Sequence, residues 1–286
     1  MSRDQRRAVL KDVVKDYQRG GYNPDRLMSI FGLVQDLAEI LGKRGNARRA
    51  SMAGAHAIKV YENTARKYGY KGEQGAVHCK KGCGYCCHTR VTATAIELFM
   101  LARGIRERWN DDADPLKARF RQVEAQTRSM PKTQWVESRI PCAFLSQGSC
   151  SVYESRPLTC RTYASTSLPL CIDWFNHAPV VVPQPDRNQM LRVFILAAMK
   201  AAMSDAGLEI LGFELAHGLE VAMLPDAEAR WLAGEPVFAG VANDAQPVHV
   251  AGGSRQAGHD AFDLMVEVFK TGPFGKDMPP NPWFSW

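Results

Sequence analysis

The stretch Cys79-Lys-Lys-Gly-Cys83-Gly-Tyr-Cys86-Cys87 decides the fold of the middle of this chain, because it places four cysteines in one short loop. The spacing C-x3-C-x2-C-C lets several thiolates converge from one turn. Glycines at 82 and 84 give the backbone freedom to wrap close to an ion. Thiolates suit zinc, copper(I) and iron–sulfur clusters. The stretch therefore predicts a loop-rich metal-binding region.

The remaining cysteines lie in the same part of the chain, as Cys142-x7-Cys150-x9-Cys160 and then Cys171. Chance burial of hydrophobic thiols would not concentrate all eight cysteines between residues 79 and 171. The predicted metal ligands are Cys79, Cys83, Cys86, Cys87, Cys142, Cys150, Cys160 and Cys171. Adjacent side chains normally diverge, so Cys86 and Cys87 are not expected to bind the same ion in the same way. The pattern predicts one shared centre, or two neighbouring ones.

Composition and the N-terminus indicate a cytoplasmic protein. Hydrophobic residues make up 45% of the 286 residues, which is typical of a globular chain. No apolar run approaches the ~18 residues that a membrane helix needs. Residues 1–16 are polar and lack the apolar segment of a secretory signal. Thiols stay reduced in the cytosol, so eight cysteines favour metal binding over disulfides.

The charge pattern argues against a nucleic-acid partner and leaves a protein partner open. The net charge is +6, but the basic residues are scattered and no aromatic side chains alternate with them. Five basic residues near the cysteines could offset the negative charge of a thiolate centre. They are Lys80, Lys81, Arg90, Arg156 and Arg161.

Apolar periodicity and capping residues predict a mostly α fold, with helical flanks around the cysteine region. Predicted helices run from Asn23-Pro24 to Gly42, from about Ser51 to Tyr68, from a Thr94–Glu97 capping box, from Asp114-Pro115, from Arg187 to Ala206, and over 213–223, 225–233 and 257–270. Between them, a small β-hairpin around Gly148 is predicted, followed by a turn at Pro157 that delivers Cys160 and Arg161.

The expected organisation is an N-terminal helical segment over 1–75, a cysteine-cluster domain over 76–175 and a C-terminal helical segment over 180–286. These three segments are expected to form one compact unit.

The cysteines and their neighbours resemble the YkgJ-type cysteine-cluster family, also called the CxxCxxCC zinc- or iron-chelating domain. The resemblance rests on the 79–87 loop, on Pro141-Cys142-Ala-Phe-Leu145, and on the string from Cys150 to Arg161. It covers about residues 77 to 173 and implies a zinc or iron site without implying one reaction. Flagellin lysine methylases, which are associated with a four-iron cluster and S-adenosylmethionine, look similar in their cysteine pattern. No S-adenosylmethionine site is recognisable here, so methylation is the weaker alternative.

The loop also mimics the radical S-adenosylmethionine motif, with Tyr85 before the third cysteine of the motif. That chemistry needs a partial β/α barrel after the motif. The sequence predicts helices and one hairpin there instead, so we do not favour this interpretation.

The cysteines could bind either zinc or an iron–sulfur cluster. Paired C-x2-C spacing, which is common at zinc sites, occurs only at Cys83–Cys86. Compact cysteine runs are more typical of iron–sulfur ligation, so the spacing slightly favours an iron–sulfur cluster, such as a four-iron cluster, with a redox or enzymatic role. The alternative is a non-catalytic binding module stapled by zinc. His78 or His88 could replace a thiolate, although each is more often a surface residue.

The sequence assigns no catalytic residues and leaves open whether the protein is an enzyme. A cysteine nucleophile would need a histidine base. Nothing in the spacing of His177, His217, His249 and His259 selects one.

Overall fold

The computed structural model describes residues 24–68, 77–109 and 114–243, and most of these residues lie in helices. The helices are α1 (Pro24–Gly42), α2 (Arg49–Tyr68), α3 (Ala95–Trp109), α4 (Asp114–Thr127), α5 (Lys132–Ser138), α6 (Leu158–Thr162), α7 (Leu168–Phe175), α8 (Asp186–Asp205), α9 (Leu215–Ala222) and α10 (Ala227–Leu232). The strands are β1 (Thr92–Thr94), β2 (Leu145–Ser146), β3 (Ser149–Cys150) and β4 (Gly212–Glu214). The predicted mostly α class is confirmed. The helix predicted at 257–270 lies outside the described residues.

Helices begin where the sequence predicts starts. Helix α1 begins at Pro24 and α4 at Asp114. Thr94 precedes α3, and its backbone N–H and hydroxyl donate to the Glu97 carboxylate at 2.8 and 2.7 Å. The same carboxylate accepts the backbone N–H of Leu158 at 2.7 Å. Glu97 therefore caps its own helix and also the first turn of α6.

The hydrophobic core is one contiguous cluster of side chains drawn from both sides of the cysteine region. Helix α2 packs against α3, α1 packs against α8, and α9 packs against α3 and α4. Fully buried members of the cluster include Leu33, Leu37, Phe99, Ile105, Phe120, Ile195, Met199, Phe213, Leu219 and Trp231. Each large apolar side chain buried in this way stabilises the fold by about 1.5–3 kcal/mol. The division into three sequence segments stays a prediction.

The predicted hairpin is confirmed, with shorter strands than the sequence indicates. Strands β2 and β3 pair antiparallel, with Leu145 opposite Cys150. Gln147 and Gly148 connect them with φ angles of 49° and 75°. Two consecutive positive φ angles are those of the two-residue turn whose twist matches a hairpin.

Two local predictions differ from the structure in part. The helix predicted over 213–223 is present as α9, but it begins at Leu215. Residues 212–214, where the sequence predicts the start of a helix over 213–223, form β4 and pair antiparallel with β1, placing Ala93 opposite Phe213. The strands are three residues long, too short for apolar alternation to mark them. The expected turn after Pro157 is the short helix α6, which Glu97 caps from outside the local sequence.

Membrane-spanning helices are absent from the described part of the chain, where every helix is too short or too polar to cross a bilayer.

Candidate metal centre

The first cysteine segment is a turn followed by one turn of 3-10 helix. The Cys83 N–H donates to the Lys80 carbonyl at 3.1 Å, and Gly82 adopts a φ of 93° that an L side chain would strain. Cys86 and Cys87 lie on the 3-10 helix Tyr85–His88. The local sequence therefore presents its cysteines from a tight, glycine-dependent loop.

The hairpin packs directly on this loop. A Cβ added to Gly84 would lie 3.0 Å from Cδ1 of Leu145 and 3.2 Å from the carbonyl oxygen of Gly148. The backbone N–H of Cys142 donates to the carbonyl oxygen of Cys87 at 2.7 Å. The two cysteine-bearing segments are therefore in backbone contact.

Helix α7 brings the most distant cysteine, Cys171, to the same region. Its Phe175 ring makes edge contacts with the rings of His88 and Tyr85, at centroid distances of 4.8 and 5.6 Å. The 3-10 helix that carries Cys86 and Cys87 thus packs against the helix that carries Cys171.

All eight predicted ligands are free cysteines in the structure, with Cys79 exposed and the other seven partly buried. Cys86 is close enough to Cys79, Cys150, Cys160 and Cys171 for its charge to raise the pKa of each. Thiols from the loop, the hairpin, α6 and α7 therefore lie within electrostatic range of one cysteine.

Cys83 and Cys142 lie within electrostatic range of other cysteines of this group. Cys83 interacts with Cys79 and Cys171, and Cys142 interacts with Cys150. The side chains of Cys86 and Cys87 were expected to diverge. In the structure, the Cys87 side chain is close enough to the Cys86 thiol to raise the pKa of Cys86.

Burial favours the protonated form of Cys142 and Cys160. Burial raises the pKa of Cys142 to about 12. Burial, followed by the like charges of Cys142, Cys86 and Cys150, raises the pKa of Cys160 well above its ordinary value. A bound cation reverses this balance, because it stabilises thiolates and releases their protons.

Backbone N–H groups are already aimed at several sulfur atoms. Phe144 donates to Cys142, and Val152 donates to Cys150, in each case from two residues further along the chain. Such hydrogen bonds favour the thiolate form against the effect of burial. This repeated arrangement is suited to thiolate ligands.

Arg156 is the predicted basic residue that faces the thiols, where its guanidinium favours the thiolate forms of Cys86, Cys150 and Cys160. Its Nε donates to the Tyr153 carbonyl at 2.9 Å, and the group lies 3.5 Å from the Tyr153 ring centroid. The side chain is therefore fixed near the centre of the cysteine group.

The other four basic residues have different surroundings. Arg161 forms an ion pair with Glu62, and its positive charge also lowers the pKa of Cys150 against the effect of burial. Arg90 lies over the Trp135 ring at 5.6 Å. Lys80 and Lys81 are exposed.

The histidines singled out from the sequence lie either at the surface or next to backbone and carboxylate groups. Nδ1 of His88 lies 3.0 Å from the Gly84 carbonyl oxygen, and His78 is exposed. His177 is exposed with a φ of 66°, and His217 lies 3.9 Å from Glu124. His249 and His259 lie outside the described residues.

The cysteine sulfur atoms are suited to a soft metal, but in the structure they are not arranged around one point as the ligands of an ion are. Across residues 24–68, 77–109 and 114–243, no group of three or more His, Cys, Asp or Glu side chains is arranged to hold an ion. Metal binding would have to draw the thiols closer together. Eight free thiols, N–H donors to their sulfur atoms and a facing guanidinium supply the groups that such a site needs.

Sequence reasoning missed Ser165, which is buried at 1% exposure and contacts the cysteine group. Its backbone N–H donates to Sγ of Cys79 at 3.2 Å. No residue pattern marks this contact, because the donor is a backbone group.

Residues 78–179 match the family model of CxxCxxCC, described as "Putative zinc- or iron-chelating domain". The cysteine region is a CxxCxxCC domain. The predicted family is thereby confirmed for these residues, which are well under half of the chain. The description supports metal binding by the CxxCxxCC domain, with zinc or iron as the ion. No curated protein and no solved structure matches the chain.

Proposed function

We propose that this chain binds a metal centre through the cysteines of its CxxCxxCC domain, and that the centre is an iron–sulfur cluster with a redox or enzymatic role. The observation that carries the proposal is the hydrogen bond from Cys142 to Cys87, which joins the two cysteine-bearing segments at their backbones. Around this contact, thiols from the hairpin, α6 and α7 lie within electrostatic range of Cys86 on the loop.

The ligands would come from the eight free cysteines. The charges of Cys83 and Cys86 reach Cys79 and Cys171, while the charges of Cys142, Cys150 and Cys86 reach Cys160. These two sets support either one shared centre or two neighbouring ones, with Cys86 within electrostatic range of both.

Charge and hydrogen bonding support a thiolate centre. Four thiolates with zinc, or with an oxidised four-iron cluster, carry a net charge of about −2. Arg156 faces this charge from a fixed position. The N–H donors to Cys79, Cys142 and Cys150 stabilise thiolate sulfur and are among the features that set cluster potentials. A bound cluster would supply electron transfer, while these residues bind and orient it.

A zinc-stapled, non-catalytic binding module is the second candidate. It is favoured by the small size of the elements in the CxxCxxCC domain, where β2 and β3 have two residues each and α6 has five. Such short elements gain stability from an ion that links them. A methylase that uses S-adenosylmethionine is a weaker alternative, since it rests on the cysteine pattern alone.

Metal analysis of the full chain, purified without oxygen, separates the two candidates. Brown protein that contains iron and acid-labile sulfide, with broad visible absorption that bleaches on reduction, supports the cluster. Colourless protein with stoichiometric zinc contradicts the cluster and supports the staple. Protein with neither metal contradicts both.

A further inference from the structure

Ser165 lies between two cysteines that are far apart in the sequence. Its backbone N–H donates to Sγ of Cys79 at 3.2 Å, and its carbonyl oxygen accepts the N–H of His78 at 2.9 Å. Both backbone groups of one buried residue are thus used to hold the start of the cysteine loop.

The side chain of Ser165 reaches the other cysteine. Its hydroxyl accepts the N–H of Ser167 at 3.0 Å and donates to the Ser167 carbonyl oxygen at 3.1 Å. That carbonyl oxygen also accepts the N–H of Cys171 at 3.3 Å, and the Ser165 side chain is close enough to the Cys171 thiol to lower its pKa against the effect of burial. Ser167 in turn caps α7, because its Oγ accepts the N–H of Leu170. The turn at Ser165 therefore sets where the helix that carries Cys171 begins.

We propose that Ser165 is a positioning residue that holds Cys79 and Cys171 as two ligands of one metal centre, with its N–H serving Cys79 and its hydroxyl serving Cys171. The inference rests on the proposed metal-binding function. The Ser167 carbonyl oxygen accepts both the Ser165 hydroxyl and the N–H of Cys171, so the Ser165 side chain fixes the backbone that carries Cys171. Partners of this kind fix the orientation of ligands and strengthen metal binding.

The test compares chelator resistance in full-length protein purified with its metal. Ser165→Ala removes the hydroxyl and keeps the backbone N–H, whereas Ser165→Thr keeps both groups. Ser51→Ala is the matched control. Ser51 is also 1% exposed, but its hydroxyl donates to the Arg48 carbonyl oxygen, away from the cysteines. We expect the EDTA concentration that removes half of the metal to fall about 10–100-fold for Ser165→Ala. Ser165→Thr and Ser51→Ala should match the wild type.

Wild-type resistance in Ser165→Ala would overturn the inference, provided that Cys79→Ser and Cys171→Ser lose metal. Unchanged metal content in both cysteine variants would instead overturn the assignment of these two ligands in the proposed function. If Ser165→Ala does not fold, Ser165→Thr and Ser165→Val are compared instead, because they have the same shape and differ in the hydroxyl. Equal resistance in that pair overturns the inference.

Discussion

The backbone N–H of Cys142 donates to the carbonyl oxygen of Cys87 at 2.7 Å, so the last cysteine of the first cluster is joined to the first cysteine of the second. This hydrogen bond links segments that lie far apart in the sequence. It places the hairpin and the 79–87 loop side by side. A metal centre that uses both segments therefore forms where their backbones already meet.

Replacing Gly84 should disrupt this contact. In Gly84→Ala the new Cβ would lie 3.0 Å from Cδ1 of Leu145 and 3.2 Å from the carbonyl oxygen of Gly148, so these hairpin atoms have to shift by a few tenths of an ångström. Overpacking of this kind costs about 1–3 kcal/mol. We expect a lower urea midpoint and less metal per chain. Gly42→Ala is the control, since a Cβ there meets nothing within 4 Å. Equal metal content in both variants would show that the hairpin need not touch the loop.

Removing the carboxylate of Glu97 should destabilise two helices together. Glu97 is 2% exposed and accepts hydrogen bonds from Thr94 and from the backbone N–H of Leu158. In Glu97→Gln the amide cannot serve all of these donors, and a buried donor without a partner costs about 1–3 kcal/mol. Chemical denaturation measures the loss. Glu107→Gln on the same helix is the control, because the exposed pair with Arg103 contributes at most about 1 kcal/mol.

The stability gap between wild type and Glu97→Gln should depend on pH. Burial, opposed by hydrogen bonds from Thr94 and Leu158, raises the pKa of Glu97. The folded state therefore holds this proton more tightly than the unfolded state, whose glutamate pKa is about 4.3. The contribution of Glu97 is complete below that value and declines as the pH rises through the folded-state pKa. Denaturation midpoints of both proteins at a series of pH values measure the gap. A gap that widens as the pH rises would contradict the direction of this shift.

Arg156 should strengthen metal binding through its charge. Its guanidinium favours the thiolate forms of Cys86, Cys150 and Cys160. Arg156→Met therefore removes positive charge that offsets the negative charge of a thiolate centre. We expect about a 10-fold lower resistance to chelators, which is within the usual effect of a partner that does not bind the metal itself. Arg230→Met is the control, because Arg230 is exposed and pairs with Glu235. Equal resistance in both variants would exclude an electrostatic role for Arg156.

Much of the fold follows from local signals. The helix starts at Pro24 and Asp114 and the turn at Gly148 depend on residues within a few positions, so periodicity and capping predict them. The eight cysteines were likewise found from residue type and spacing, and the structure brings their segments to one region.

Contacts between distant parts of the chain could not be predicted in this way. The pairing of β1 with β4 joins three-residue strands that show no alternation of their own. Helix α6 depends on a carboxylate from α3. The contact between Ser165 and Cys79 uses a backbone donor that any residue type could supply.

The most direct test of the central claim is the metal content of two single variants, Cys83→Ser and Cys142→Ser, purified as full chains beside the wild type. Cys83 lies on the loop and Cys142 lies beside the hairpin, so a centre built from both segments needs each of them. We expect each variant to lose at least half of the wild-type metal and to unfold at a lower temperature, because the free energy of binding a structural metal adds to the stability of the fold. Full metal content and full thermal stability in Cys142→Ser, together with metal loss in Cys83→Ser, would contradict a centre that spans both segments.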